Sequence, residues 1–138
     1  MKVKKPAYKH NIVMLIDDNE LDNFVNQKII EGNHFAQKIY VNSSGKSAAE
    51  FLQNILVISN NDVDLMPEVI FVDLNMPIMD GFQFIEKFEL LINRSTKKFK
   101  LVILTTSINE EDKKKALKFN NNILFLNKPL TDEGLALI

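Results

Sequence analysis

Five short apolar runs, four of them ending at polar residues, constrain this chain more than any other feature. They are "NIVMLID" (11 to 17), "QKIYV" (37 to 41), "EVIFVD" (68 to 73), "KLVILTT" (100 to 106) and "NILFLNK" (122 to 128). Rich in Ile, Val, Leu and Phe without strict alternation, they read as strands covered on both faces, as in a parallel sheet. Between them, Leu21, Phe24, Val25 and Ile29 recur at helical spacing, as do Ala48, Phe51, Leu52 and Ile55, then Ile85, Phe88, Leu91 and Ile92. Each stretch is expected to lay one face on the sheet. The fourth connection, "SINEEDKKKALKF", has fewer apolar positions and a Lys113-Lys114-Lys115 run, so its helix is expected to be largely solvated. "TDEGLALI" leaves about two turns for the last helix, and "NNN" at 120 to 122 reads as a turn. The alternation implies an α/β fold: a doubly wound, five-stranded parallel sheet in the order 2-1-3-4-5 with helices on both faces. Any ligand site belongs at the carboxyl ends of the strands.

Bulk properties narrow the function. With 138 residues, 46% of them hydrophobic, the chain fits one domain. Folding would bury about 68% of the surface that the extended chain exposes. Seventeen basic and eighteen acidic residues leave a net charge of -1, and Arg94 is the single arginine. Neither direct nucleic-acid binding nor a membrane-binding polybasic patch is indicated. The absence of cysteine excludes disulfides, thiolate nucleophiles and thiolate zinc sites. The basic opening "MKVKKPAYKH" leads into an apolar run that Asp17 and Asp18 end too early for a signal or membrane segment, so a cytoplasmic location is expected.

Function must then come from a local site, and the strand ends supply one. The first strand ends in Asp17-Asp18, the third in Asp73, the fourth in Thr105-Thr106 and the fifth in Lys128-Pro129. Singly, each has an ordinary reading as a helix cap, a strand-end hydroxyl or a solvated lysine. Together they would set like charges side by side, and two carboxylates about 4 Å apart repel by roughly 4 kcal/mol at an effective dielectric near 20. A hard, oxygen-seeking Mg²⁺ beside the Lys128 ammonium offsets that repulsion. The two histidines, His10 and His34, fall outside the strand ends and read as surface or packing residues.

Taken in order, "LIDDNELD", "VDLNMPIMDG", "LTTS" and "NKP" resemble the receiver domain of two-component response regulators, of the single-domain, chemotaxis-regulator-like kind, from about Asn11 to the end. The resemblance implies a flavodoxin-like fold and gives each residue a role. Asp73 matches the phosphoacceptor, the modified residue. Asp17 and Asp18 match the acidic pair that holds Mg²⁺ together with Asp73, a further ligand coming from the backbone carbonyl of Asn75. Thr105 matches the switch hydroxyl, Phe125 the aromatic switch position and Lys128 the active-site ammonium, whose bond to Pro129 is typically cis in the family. The implied partners are a sensor histidine kinase or a histidine phosphotransfer protein and a downstream protein target, with a phosphorylation-dependent homodimer as a further assembly. The implied output surface is helix 4, strand 5 and helix 5, and the only reaction implied is the domain's own phosphorylation and dephosphorylation.

The sequence also departs from the commonest pattern of that family. Thr106 stands where a small alanine is frequent, and Phe125 lacks the hydroxyl of the usual tyrosine, so any signal through it must pass by ring burial. Its other reading is a plain core aromatic. Asp80 reads as a helix cap, and Pro77 and Gly81 as the turn that brings backbone close to the metal. Two rival functions are a haloacid-dehalogenase-type phosphatase, which needs an Asp where Asn75 stands, and a pseudo-receiver interaction module that is never phosphorylated. Residues 1–10 are expected to be an N-terminal extension and 11–138 the receiver, with a short or truncated fifth helix, either stand-alone or part of a longer protein.

Overall fold

The computed structural model describes residues 7–58, 65–92, 99–106, 108–119 and 123–138. In chain order the elements are β1 (His10–Ile16), α1 (Glu20–Gly32), β2 (Ala36–Asn42), α2 (Gly45–Ile58), β3 (Val69–Asp73), α3 (Gly81–Ile92), β4 (Lys100–Thr105), α4 (Glu110–Ala116), β5 (Ile123–Asn127) and α5 (Asp132–Ala136). The strands form one parallel sheet in the order β2-β1-β3-β4-β5, as the alternation of elements implied. The turn expected at 120–122 and the side chain of Ile92 lie outside the described residues.

Alternate residues of the central strands feed two cores, which explains why these strands read as unbroken apolar runs. Met14, Ile16, Ile70, Val72, Leu101 and Ile103 meet Ala48 and Leu52 of α2 and Phe84 and Phe88 of α3. On the other face, Val13, Leu15, Val69, Phe71, Val102 and Leu104 meet Ile30 of α1 and Leu135 of α5. The edge strands β2 and β5 are only partly covered. Strand β1 begins at His10 rather than Asn11, because the His10 amide donates to the Phe35 carbonyl at 2.9 Å and opens the pairing with β2. The His10 ring packs on Phe35 and bonds Glu68 at 2.8 Å, at the end of the sheet away from the aspartates.

The expected inward face of α1 is corrected by the structure. Leu21 and Phe24 are exposed, and the buried residues are Asn23, Asn26 and Ile30. Each buried amide makes a hydrogen bond to a strand end: Asn23 Nδ2 donates to the Asp17 carbonyl at 2.8 Å, leaving its Oδ1 buried without a partner, and Asn26 Oδ1 accepts from the Leu130 amide at 2.9 Å. In α2, Ala48 and Leu52 are buried as expected, whereas Phe51 lies at the rim with its ring edge-on to Tyr40. Helix α4 buries only Ala116. It is held by the Asn109 cap, by acids in its first turn and by lysines in its last, an arrangement that complements the helix dipole. No helix among the described residues is long and apolar enough to cross a membrane.

Candidate functional site

Register delivers the polar strand ends to one edge of the sheet. Ile16 pairs with Val72, Asp73 with Leu104 and Thr105 with Asn127, so Asp17, Asp73, Thr105 and Lys128 follow one another across neighbouring strands. Asp17, Asp73 and Thr105 are buried, whereas Asp18 and Asn75 are exposed. Carboxylate oxygens of Asp17, Asp18 and Asp73 lie within 4.8 Å of one another. The Lys128 ammonium reaches Asp17 Oδ2 at 2.5 Å, Asp22 Oδ2 at 3.1 Å and Asp73 Oδ2 at 3.4 Å.

Lys128 is fixed from its backbone outward. Its amide donates to the Thr105 carbonyl at 2.9 Å, its bond to Pro129 is cis, and Leu130 beyond is tied to Asn26. The Asp73 loop is shaped by a close approach: a Cβ on Gly81 would sit 2.6 Å from the Asp73 carbonyl oxygen and 2.9 Å from Leu74 Cα. Only glycine admits α3 so near the end of β3. Asp80 caps that helix, its carboxylate accepting from the Gln83 amide while Gln83 Oε1 accepts from the Asp80 amide, each at 2.9 Å. That reciprocal pair is a capping box and agrees with the cap read from the sequence. The sharp backbone turn falls instead at Ile78, with φ of 70° between Pro77 and Met79.

The electrostatics are those of crowded acids around one cation. Burial, and then the neighbouring Asp17 charge, push the Asp73 carboxyl above its usual range, opposed by Lys128 and by the Asn75 amide. Burial pulls the Lys128 ammonium down, but the carboxylates of Asp17, Asp22 and Asp73 outweigh it and the ammonium is held well above its usual range. One ammonium cannot neutralise four acids, and Asp17 Oδ2 is buried without a hydrogen bond of good geometry. An all-oxygen donor set, converging on a point and short of positive charge, suits a hard divalent cation such as Mg²⁺.

The structure thus brings together Asp17, Asp18, Asp73 and Lys128 from among the residues singled out in the sequence, with Thr105 at the adjacent strand end. Phe125 is half-buried on the α2/α3 face, and strand alternation puts Thr105 on that same face. Sequence reasoning missed Asp22, Asn23 and Asn26. The available signal was a pair of amides three residues apart beside an acid, in a helix whose apolar residues alone had set its expected face.

Residues 13–137 match the model of the response regulator receiver domain, and the chain belongs to that family. It is 29% identical to the response regulator Rcp1 of Synechocystis over 101 residues, which are 73% of this chain and 65% of that protein. A two-component response regulator from Cytophaga hutchinsonii superposes with a TM-score of 0.76 at 28% identity, covering 92% of each chain. The receiver domain of the Arabidopsis thaliana histidine kinase CKI1, crystallised with Mg²⁺, has a TM-score of 0.79 at 18% identity, covering 92% of this chain and 89% of that one. The flavodoxin-like fold and a place in two-component signalling follow. Receiver domains are signalling modules rather than enzymes acting on external substrates.

Proposed function

We propose that Asp73 accepts a phosphoryl group from the phosphohistidine of a sensor histidine kinase or a histidine phosphotransfer protein. The observation carrying this reading is the Asp73 carboxylate, buried at the strand end with Lys128 Nζ 3.4 Å from its Oδ2 and the Asp17-Asp18 pair beside it. A carboxylate oxygen of Asp73 attacks phosphorus, the P–N bond breaks, and its electron pair leaves on the imidazole. Asp17, Asp18 and Asp73, with the Asn75 carbonyl, would hold Mg²⁺. Bound there, the ion supplies charge neutralisation for the phosphoryl oxygens. Lys128 presents an ammonium to those same oxygens, and Thr105 contributes a hydroxyl at the adjacent strand end. Water later cleaves the acyl phosphate and regenerates Asp73.

Incubation with acetyl phosphate and Mg²⁺, followed by intact-protein mass spectrometry, tests the reading. One hydroxylamine-sensitive phosphoryl group in wild type and none in Asp73→Asn is the expected result. Catalytic phosphate release would instead indicate a phosphatase. No labelling at all would indicate a pseudo-receiver module.

A further inference from the structure

An ammonium carries three N–H donors, and the structure gives Lys128 three carboxylates. Asp17 and Asp73 belong to the strand-end cluster, but Asp22 does not. Asp22 stands in the first turn of α1, where its amide donates to the N-cap Asn19 Oδ1 at 3.0 Å. The helix carrying it is fastened on both sides of Lys128, by Asn23 to the end of β1 and by Asn26 to Leu130. Asp22 is therefore a carboxylate on a fixed mount, aimed at the ammonium from outside the reacting groups.

We propose that Asp22 is a positioning residue for Lys128, holding one N–H of the ammonium while the phosphoryl group is transferred. The inference rests on the receiver reading above. Asp17 cannot keep its full hold on Lys128 once its oxygens turn to a cation, and Asp73 is itself the group being phosphorylated. Asp22 is the one of the three contacts that the chemistry leaves alone. The opposite role, a tether that withholds Lys128, is disfavoured by the distances: Nζ reaches Asp22 at 3.1 Å and Asp73 at 3.4 Å simultaneously, so the two contacts coexist.

The test compares Asp22→Ala, Asp22→Glu and Glu20→Gln, the last removing an exposed acid from the same helical turn. With acetyl phosphate at saturating Mg²⁺, Asp22→Ala should be labelled roughly tenfold more slowly than wild type, with the Mg²⁺ half-saturation point unchanged. Asp22→Glu should recover most of the rate, and Glu20→Gln should match wild type. A second readout needs neither metal nor phosphate: acetylation of Lys128 by an N-hydroxysuccinimide ester should be faster in Asp22→Ala, because the ammonium has lost its outer contact. Labelling of Asp22→Ala at or above the wild-type rate overturns the proposal, and so does an equal loss in Glu20→Gln. If wild type itself is not labelled, the receiver reading fails, and the acetylation rate still reports whether Asp22 restrains Lys128.

Discussion

Asn26, in the second turn of α1, accepts a hydrogen bond from the Leu130 amide at 2.9 Å, and both residues are buried. This bond ties the helix after the first aspartates to the loop that follows Lys128. Replacing Asn26 with Leu keeps the branched heavy-atom shape, with somewhat more volume, but leaves the Leu130 N–H buried and unpaired. That should cost about 2 kcal/mol, lowering Tm by about 8 °C. Thermal unfolding followed by circular dichroism checks it, and an unchanged Tm would mean that the loop is held by Pro129 and Thr105 alone.

Burial and a neighbouring carboxylate both work against ionisation of Asp73. Burial and the Asp17 charge raise its folded-state pKa, so the native protein binds a proton more tightly than the unfolded chain. Stability from this group is complete below the unfolded pKa and is lost as pH rises through the folded one. At neutral pH, without Mg²⁺, Asp73→Asn should therefore melt at a higher temperature than wild type. The advantage should vanish as pH is lowered toward the ordinary aspartate range. Melting curves across that interval decide it, and a variant less stable at neutral pH would show that Lys128 outweighs the repulsion.

Magnesium should relieve the same strain. A ligand that binds only the native state stabilises it by about 2.7 kcal/mol at a hundred times its Kd. Titrating Mg²⁺ should raise the wild-type Tm, EDTA should reverse the rise, and Asp17→Asn should lose most of it. Full retention in Asp17→Asn would remove that carboxylate from the ligand set.

Ile78 carries a strained backbone in the loop after Asp73. Its φ is 70°, the Met79 amide donates back to the Pro77 carbonyl at 2.7 Å, and its side chain is 94% exposed. A β-branched residue in that region costs of order 1–2 kcal/mol, and so exposed a side chain has little packing to offset it. Ile78→Asn, which suits positive φ, should add about 1 kcal/mol and raise Tm by about 4 °C. A fall in Tm would mean that the isoleucine packs against something in solution.

The strands and the strand-end residues are legible because each leaves a local mark, an apolar run long enough for one strand with a polar residue at its end, and the alternation of those runs with helical periods implies the sheet order. The face of α1 is not legible in that way. Leu21, Phe24, Val25 and Ile29 give the period of the helix, but apolarity does not mark its buried side. Asn23 and Asn26 are buried because their partners, the Asp17 carbonyl and the Leu130 amide, come from distant strand ends, and that pairing exists only in three dimensions. Asp22 was hidden for the same reason, reading as an ordinary first-turn acid until the fold brought Lys128 to it. Gly81 was seen as a turn residue, yet it is required by a close approach of backbone, and the positive φ sits at Ile78.

Phosphorylation of Asp73 is expected to alter the surface formed by α4, β5 and α5, residues 109–119 and 123–138. Thr105 is buried on the same sheet face as Phe125, and Phe125 is only half-buried, so its ring can turn further inward if the hydroxyl moves toward a phosphoryl oxygen. A second connection runs from the Asp73 loop through Phe82, whose ring lies parallel to Phe119 at 6.1 Å with Lys115 Nζ 5.8 Å above it. Moving a two-state equilibrium from 1:99 to 99:1 takes about 5.5 kcal/mol. One charge-assisted hydrogen bond supplies roughly 1.5–3 kcal/mol, so the shift should be partial until a partner binds the altered surface. Hydrogen exchange with and without beryllofluoride and Mg²⁺ reads this directly. Protection should change in α4 and β5 as well as in the Asp73 loop, and Phe82→Ala should weaken the change in α4 while sparing β5. Changes confined to the Asp73 loop would rule this output surface out.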